Sequence, residues 1–227
     1  MALQQSIIYL SRQGFGYYSS SRVLWFAFPQ TSVKDLDVIN KTELVNSIEM
    51  FIDKNQIAKA SCFMILSEHV YFEKDYIGAL DQQEILTQAF ADTVPFENVL
   101  KKTFPIENGF KVVAANKDLC LCIRQAFWEK GFVFEAITPA LIVGSQVVEN
   151  ENGLIQESID LLFQKIAVFR QNGFSLDEQT AQTKIASQPF VRQTTSSQNN
   201  NSKIIWLLSA FFILLLILAG LLSGRFF

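Results

Sequence analysis

Histidine is the scarcest chemically versatile residue in this chain: His69 stands alone among 227 residues. A Ser-His-Asp site would have to use it, yet it sits in the short polar turn Ser67-Glu68-His69, where a solvated side chain is expected. Cysteine is nearly as scarce. Cys62, Cys120 and Cys122 are an odd set in apolar surroundings, which fits reduced thiols better than a disulfide framework. The Cys120-Leu-Cys122 pair has no second cysteine pair and no ligand histidine beside it. That argues against zinc and leaves both thiols flanking an apolar stripe. Phosphate-binding loops are missing too. There is no GxxxxGK[ST], and Gly14-Phe-Gly16 is a lone GxG with no helix opening after it, read as a loop or bulge. The first apolar run, Ser6–Ser11, carries none of the acids that a nuclease-type metal site needs. Asp35, Asp37, Asp53 and Asp75 are scattered through loops and helix ends. No catalytic, cofactor-binding or metal-binding residue is assigned.

Strong charge of either sign is also lacking. Residues 1–203 hold 18 Lys and Arg against all 22 Asp and Glu, a net charge of −4. Such a balance offers no basic surface for nucleic acid and no polybasic clamp for anionic lipid. The N-terminus, MALQQSIIYLSRQGFGYY, lacks a basic region followed by an unbroken apolar stretch, so no signal peptide is expected.

Phenylalanine and one long apolar run are what the chain has in excess. Its 21 Phe fall largely at periodic, core-like positions. Ile204 to Leu222 reads IIWLLSAFFILLLILAGLL, with no charged residue. At about 1.5 Å per residue it would reach roughly 28 Å, the hydrocarbon thickness of a bilayer. It has no polar face of the kind a core helix shows. Residues 204–222 are therefore read as a transmembrane helix, represented by Ile204, Trp206, Phe211, Leu216, Gly220 and Leu222. Gly220 and Gly224 form a GxxxG pair at its end, a candidate for helix association beside the plainer reading that small residues simply end the helix. Lys203 and Arg225 flank the run almost symmetrically, so charge barely sets the orientation. With nothing to export residues 1–203, the expected place is the cytoplasmic face of the inner membrane, as a single-pass, tail-anchored protein.

Periodicity organises the rest. Ser6–Ser11 and Val23–Phe28 read as strands separated by a glycine and serine loop. In NKTELVNSIEMFIDKNQI, Asn40 and Glu43 form a capping box, with Leu44, Ile48, Phe51 and Ile52 on one face of a helix. Ser61–Leu66 and Val70–Glu73 read as a hairpin across Ser67-Glu68-His69. A helix around Gln82–Ala91 is expected to bury Ile85, Leu86, Ala89 and Phe90 and to stop before Pro95. Phe110–Ala115 is a strand leading into a helix capped by Asn116, striped by Leu119, Ile123, Ala126 and Phe127, and ended by Gly131. With the strand Phe132–Ile137 this forms a βαβ unit, so part of the sheet should be parallel. Leu154–Arg170 is one more amphipathic helix. Asn172–Ser202 is rich in Gln, Ser, Thr and Asn and reads as a flexible tether.

Three stretches carry a family resemblance: residues 34–76, 87–119 and 127–144. A helix leading to a strand, then a helix ending in the corner Val94-Pro95-Phe96-Glu97, is followed by a strand ending Ala114-Ala115-Asn116-Lys117. A helix ending at Gly131 and the run to Ala140 come next. This pattern resembles the cytoplasmic domain of type IV pilus assembly proteins of the PilM type, and the related cytoplasmic part of type II secretion L-type proteins. The resemblance implies a single mixed-sheet α/β domain of ribonuclease H-like or actin-like type over residues 1–146. An amphipathic helix (147–171), a flexible polar linker (172–203), the transmembrane helix (204–222) and a short tail (223–227) would follow. Full-length relatives hold two lobes with Asp-, Gly- and Thr-rich phosphate loops. This chain has no such loops and is too short for both lobes, so ATP binding does not transfer and no cofactor is expected. The implied function is that of a non-catalytic membrane-anchored scaffold of pilus or secretion machinery, whose partners are the lipid bilayer and proteins of an inner-membrane complex. Two alternatives stand beside it: a longin- or SNARE-like trafficking protein, which would need a heptad helix before the anchor, and a membrane-anchored enzyme of unrecognised type.

Overall fold

Period-two burial divides the first strands between two cores. The computed structural model describes residues 3–150 and 153–174. In chain order its elements begin with β1 (Gln4–Ser11), β2 (Gly14–Ser19), β3 (Arg22–Ala27), β4 (Val33–Lys34), β5 (Asp37–Val38) and α1 (Lys41–Lys54). Then come β6 (Ala60–Leu66), β7 (Tyr71–Ile77), α2 (Gln83–Ala91), β8 (Val99–Ile106), β9 (Gly109–Asn116), α3 (Lys117–Glu129) and β10 (Val133–Pro139). A small hairpin, β11 (Glu149–Asn150) and β12 (Gly153–Leu154), precedes α4 (Gln156–Gln164) and α5 (Ile166–Asn172). All belong to one compact unit, Met1–Leu176.

Among the described residues five strands form a mixed sheet in the order β10-β6-β1-β2-β3. β6 runs parallel to both β1 and β10, and β2 runs antiparallel to β1 and β3. Ile8, Leu10, Phe15, Tyr17, Cys62, Met64 and Leu66 face α1 and α3. Their alternates Ile7, Tyr9, Tyr18, Phe63 and Ile65 face α4 and α5. The sheet is thus buried on both sides, which explains why β6 is apolar throughout. A second sheet, β7-β9-β8, is wholly antiparallel. One of its faces, with Tyr71, Leu100, Phe104, Val113 and Ala115, joins the α1–α3 core. Its other face carries α2, with Tyr76 stacked on Phe110 at 5.2 Å between ring centroids.

Local signals are realised faithfully. Asn40 Oδ1 accepts from Glu43 N–H at 3.1 Å, and Asn116 Oδ1 accepts from Leu119 N–H at 3.0 Å. Only one arm of the expected capping box forms at α1, because the Glu43 carboxylate accepts from the Thr31 hydroxyl instead. Leu119, Ile123, Ala126 and Phe127 are all buried, and Gly131 ends the helix at φ +84, where a Cβ would be strained.

Several long-range expectations are corrected. Gly14-Phe-Gly16 is neither loop nor bulge but the start of β2. A Cβ on Gly16 would collide with the Tyr18 ring and hydroxyl, so the glycine makes room for a ring inside a strand. β6 and β7 are not a hairpin, since they belong to different sheets. The strands flanking α3 do not form a βαβ unit in one sheet either; the parallel pairs are β1–β6 and β6–β10. β8 carries no plain strand signal in the sequence, its alternation being masked by Lys101, Lys102 and Pro105. Ile85 and Ala89 of α2 are exposed rather than buried, because the helix covers only the narrow second sheet. The helix expected over Leu154–Arg170 is two, parted at Lys165, whose N–H bonds to the carbonyls of both Leu161 and Leu162 at 3.1 Å. The apolar run 204–222, the Gly220/Gly224 pair and nearly all of the linker lie outside the described residues. Among the described residues no helix is long and apolar enough to cross a membrane.

Candidate functional site

In α/β sheets ligands gather beyond the carboxyl ends of the parallel strands. Here β1, β6 and β10 end at Ser11, Leu66 and Pro139. Side chains and turns fill that rim. After β6, Ser67 is buried: its N–H donates to Leu10 O at 2.9 Å and its hydroxyl accepts from His69 N–H at 3.3 Å. Val70 and Tyr71 follow, both buried. Burial pushes the Tyr71 hydroxyl up to about 12, against a smaller opposing pull from its hydrogen bond with the Leu141 backbone. On the far side of β1, the Tyr9 hydroxyl donates to Glu149 Oε1 at 2.7 Å. Burial first, and then the Glu149 carboxylate, raises its pKa.

Ser67, Glu68 and His69 stand together at this rim, without the geometry of catalysis. The His69 imidazole is 63% exposed and lies 3.9 Å from the neighbouring Glu68 carboxylate. The Ser67 hydroxyl is engaged by backbone instead of imidazole. Arg12 and Asp35 approach to 3.6 Å, but both are mostly exposed, and such a pair stabilises little. Of the other acids, Asp37 takes part in a hydrogen bond from Asn116, Asp53 pairs with Lys130, and Asp75 pairs with Lys111. Among the described residues no group of three or more His, Cys, Asp or Glu is placed to hold a metal.

The thiols are buried and free. Burial pushes Cys62 and Cys120 up to about 12 and Cys122 up to about 11, so the nucleophilic thiolate is disfavoured at neutral pH. Cys62 Sγ and Ser6 Oγ satisfy one another at 3.0 Å. This is core chemistry.

The outer face of the second layer differs. A cleft of about 390 Å³ opens between the end of α2 and β8, lined by Gln88, Asp92, Val94, Phe96, Glu97 and Lys101 among others. It contains most of the Val94–Glu97 corner on which the sequence resemblance rests. Lys101 Nζ donates to Gln88 Oε1, and Gln88 Nε2 donates to Asp92 Oδ1 at 2.6 Å. Phe72 of β7 meets Phe96 at 5.7 Å yet remains 43% exposed. Along the β7–α2 connection Ile77, Leu80 and Ile85 are each more than 60% exposed. Sequence reasoning missed this surface because apolar residues at helical spacing read as core. The neighbouring run Glu73-Lys74-Asp75 was the available sign of an outward-facing strand.

The sequence matches no known family model and no curated protein. Solved structures resemble the fold. One is a PilM-PilN type IV pilus biogenesis complex, at 13% identity and TM-score 0.44, over 63% of this chain and 48% of that one. A second is the cytoplasmic domain of EpsL, an inner membrane component of the type II secretion system of Vibrio cholerae. It has 16% identity and TM-score 0.38, over 65% of this chain and 60% of that one. A third is a Bacteroides thetaiotaomicron protein with an actin-like ATPase fold, at 11% identity and TM-score 0.33, over 81% and 87%. The chain therefore spans about half of the first and 60% of the second. With TM-scores below 0.5, these likenesses carry nothing about activity or partners.

Proposed function

We propose that this chain is a non-catalytic assembly protein, held at the inner membrane by residues 204–222, whose α/β domain recruits protein components of pilus or secretion machinery. The observation that carries the reading is the half-exposed Phe72 against Phe96 of the Val94–Glu97 cleft, together with Ile77, Leu80 and Ile85 exposed along the β7–α2 connection. Exposed apolar side chains grouped along one connection mark a contact surface, whereas single ones scattered over a protein need no explanation. The filled rim at the strand ends and the buried thiols support a binding role over a chemical one.

A photo-crosslinking side chain at Ile85, in the full chain in its native membrane, tests the reading. Adducts with inner-membrane assembly proteins are expected, and labelling of lipid alone would overturn it. Titration of the detergent-solubilised chain with ATP and Mg²⁺ should give no saturable heat. Micromolar binding would overturn the non-catalytic assignment.

A further inference from the structure

The sheet edges of the described residues are not equally defended. β7 presents Glu73, Lys74 and Asp75, and β8 presents Lys101, Lys102 and Pro105, the charges and proline that discourage pairing. The edge of β10 is met by the chain after α5, where Phe174 N–H donates to Ile137 O at 2.8 Å. β3 has neither device. From Val23 to Ala27 it reads VLWFA, without charge or proline, and no described strand pairs with its outer side.

The register fixes which backbone groups face outward. Ser19 and Arg22 close the two-residue turn between β2 and β3, and Phe28 N–H donates to Gln13 O at 2.9 Å at the other end of the ladder. Arg22, Leu24, Phe26 and Phe28 therefore exchange hydrogen bonds with β2. Val23, Trp25 and Ala27 turn their N–H and C=O to the open edge. Leu24 and Phe26 pack toward the α1 side, whereas Val23 and Trp25 stay 58% and 42% exposed on the opposite face.

We infer that this edge pairs with the β3 of a second copy of the chain, antiparallel about a two-fold axis at Trp25, continuing the sheet across both. This inference rests on the sheet edge alone and is independent of the proposed function. Antiparallel pairing sets outward residues against outward residues, and full overlap of Arg22 to Phe28 centres the register on Trp25 opposite Trp25. Val23 then meets Ala27, and Leu24 meets Phe26, each on its own face of the sheet. The strand's one charge, Arg22, falls opposite Phe28 of the other copy, so no like charges meet. Five residues of edge bury far less than the roughly 800 Å² per partner of a stable dimer, so the pairing is reversible and rises with concentration.

Cysteine cross-linking of the full chain in membranes tests it, since the native thiols are all buried. Trp25→Cys should give a disulfide-linked homodimer under mild oxidation. Val23→Cys alone should give at least tenfold less. Val23→Cys mixed with Ala27→Cys should restore the dimer and, by leaving Trp25 in place, guards against misfolding of the first variant. Adding Trp25→Lys to that mixture should abolish the product. A dimer from Val23→Cys alone as abundant as from Trp25→Cys would overturn the register. Absence of any homodimer, or adducts only with another protein, would overturn the pairing.

Discussion

β6 and β7 are consecutive strands of seven residues, parted by only four, and they live in different environments. Every residue of β6 is buried, whereas β7 is exposed at five of its seven positions. β6 lies between two parallel neighbours, with helices over both faces, so no position along it can hold a charge. β7 is the edge of a three-stranded sheet and places Glu73, Lys74 and Asp75 outward, where Lys111 pairs with Glu73 at 2.6 Å and Asp75 at 3.2 Å. The short link between them turns the chain from the centre of one sheet to the rim of another. Proximity in sequence does not imply pairing when the first strand already has partners on both sides.

If the core around the five-stranded sheet carries the stability, its aromatic hub should be the most sensitive point. Phe127 is fully buried against Phe15, Tyr17, Phe132 and Phe134. Phe127→Ala should cost about 3–5 kcal/mol, a large part of a typical domain's stability. Urea melts of the unit Met1–Leu176 would show it; a loss under 1 kcal/mol would place the hub elsewhere.

Alkali should weaken the same core without any mutation. Cys62 and Cys120 titrate near 12 in the fold against about 9 when unfolded. Between those values the unfolded chain holds fewer protons, so stability is complete below pH 9 and falls as pH rises. The loss grows with each pH unit and should be on the order of 3 kcal/mol for the two thiols together at pH 10. The variant carrying both Cys62→Ala and Cys120→Ala, less stable overall, should show a flatter profile. An unchanged slope would mean that other groups set it.

Asn116 joins the two layers, because β9 of the second sheet ends where α3 of the main core begins. Its side chain caps α3, and its Nδ2 donates to Leu36 O at 3.1 Å. Leu36 is held at φ +70 in the β4–β5 hairpin, a conformation that a branched side chain rarely adopts. Asn116→Ala should cost about 1–2 kcal/mol, and Asn116→Ser, which keeps a cap acceptor but not the donor to Leu36, about half of that. Equal losses would assign the whole effect to the Leu36 contact.

Legibility from sequence followed the range of the interaction. α1 and α3 were plain because a cap bonds three residues ahead and an apolar stripe repeats every turn. The strand pairings were not, since nothing local in Ser61–Leu66 records that its neighbours are β1 and β10. β2 was hidden by the glycine that admits the Tyr18 ring, and the break at Lys165 is marked by neither glycine nor proline. The contact surface was partly legible, through the Val94–Glu97 corner, but Ile85 lies on an apolar helical face that reads as core. Periodicity reports which residues share a face, and it does not report whether anything covers that face.

The smallest expected effect is the one that separates the two strands most sharply. Ile65 of β6 is 0% exposed and Ile77 of β7 is 67% exposed. The deletion is chemically identical at both, so any difference in cost belongs to the environment. Ile65→Ala removes buried methyl groups from between two sheet neighbours and the α4–α5 layer and should cost about 2–5 kcal/mol. Ile77→Ala takes away atoms that water already touches and should change stability by about 0.5 kcal/mol or less. Its consequence should appear instead in assembly, as fewer adducts from the crosslinker at Ile85. A cost above 1 kcal/mol at Ile77 in the isolated unit would mean that this end of β7 is packed, and Ile77 would lose its place in the proposed contact surface.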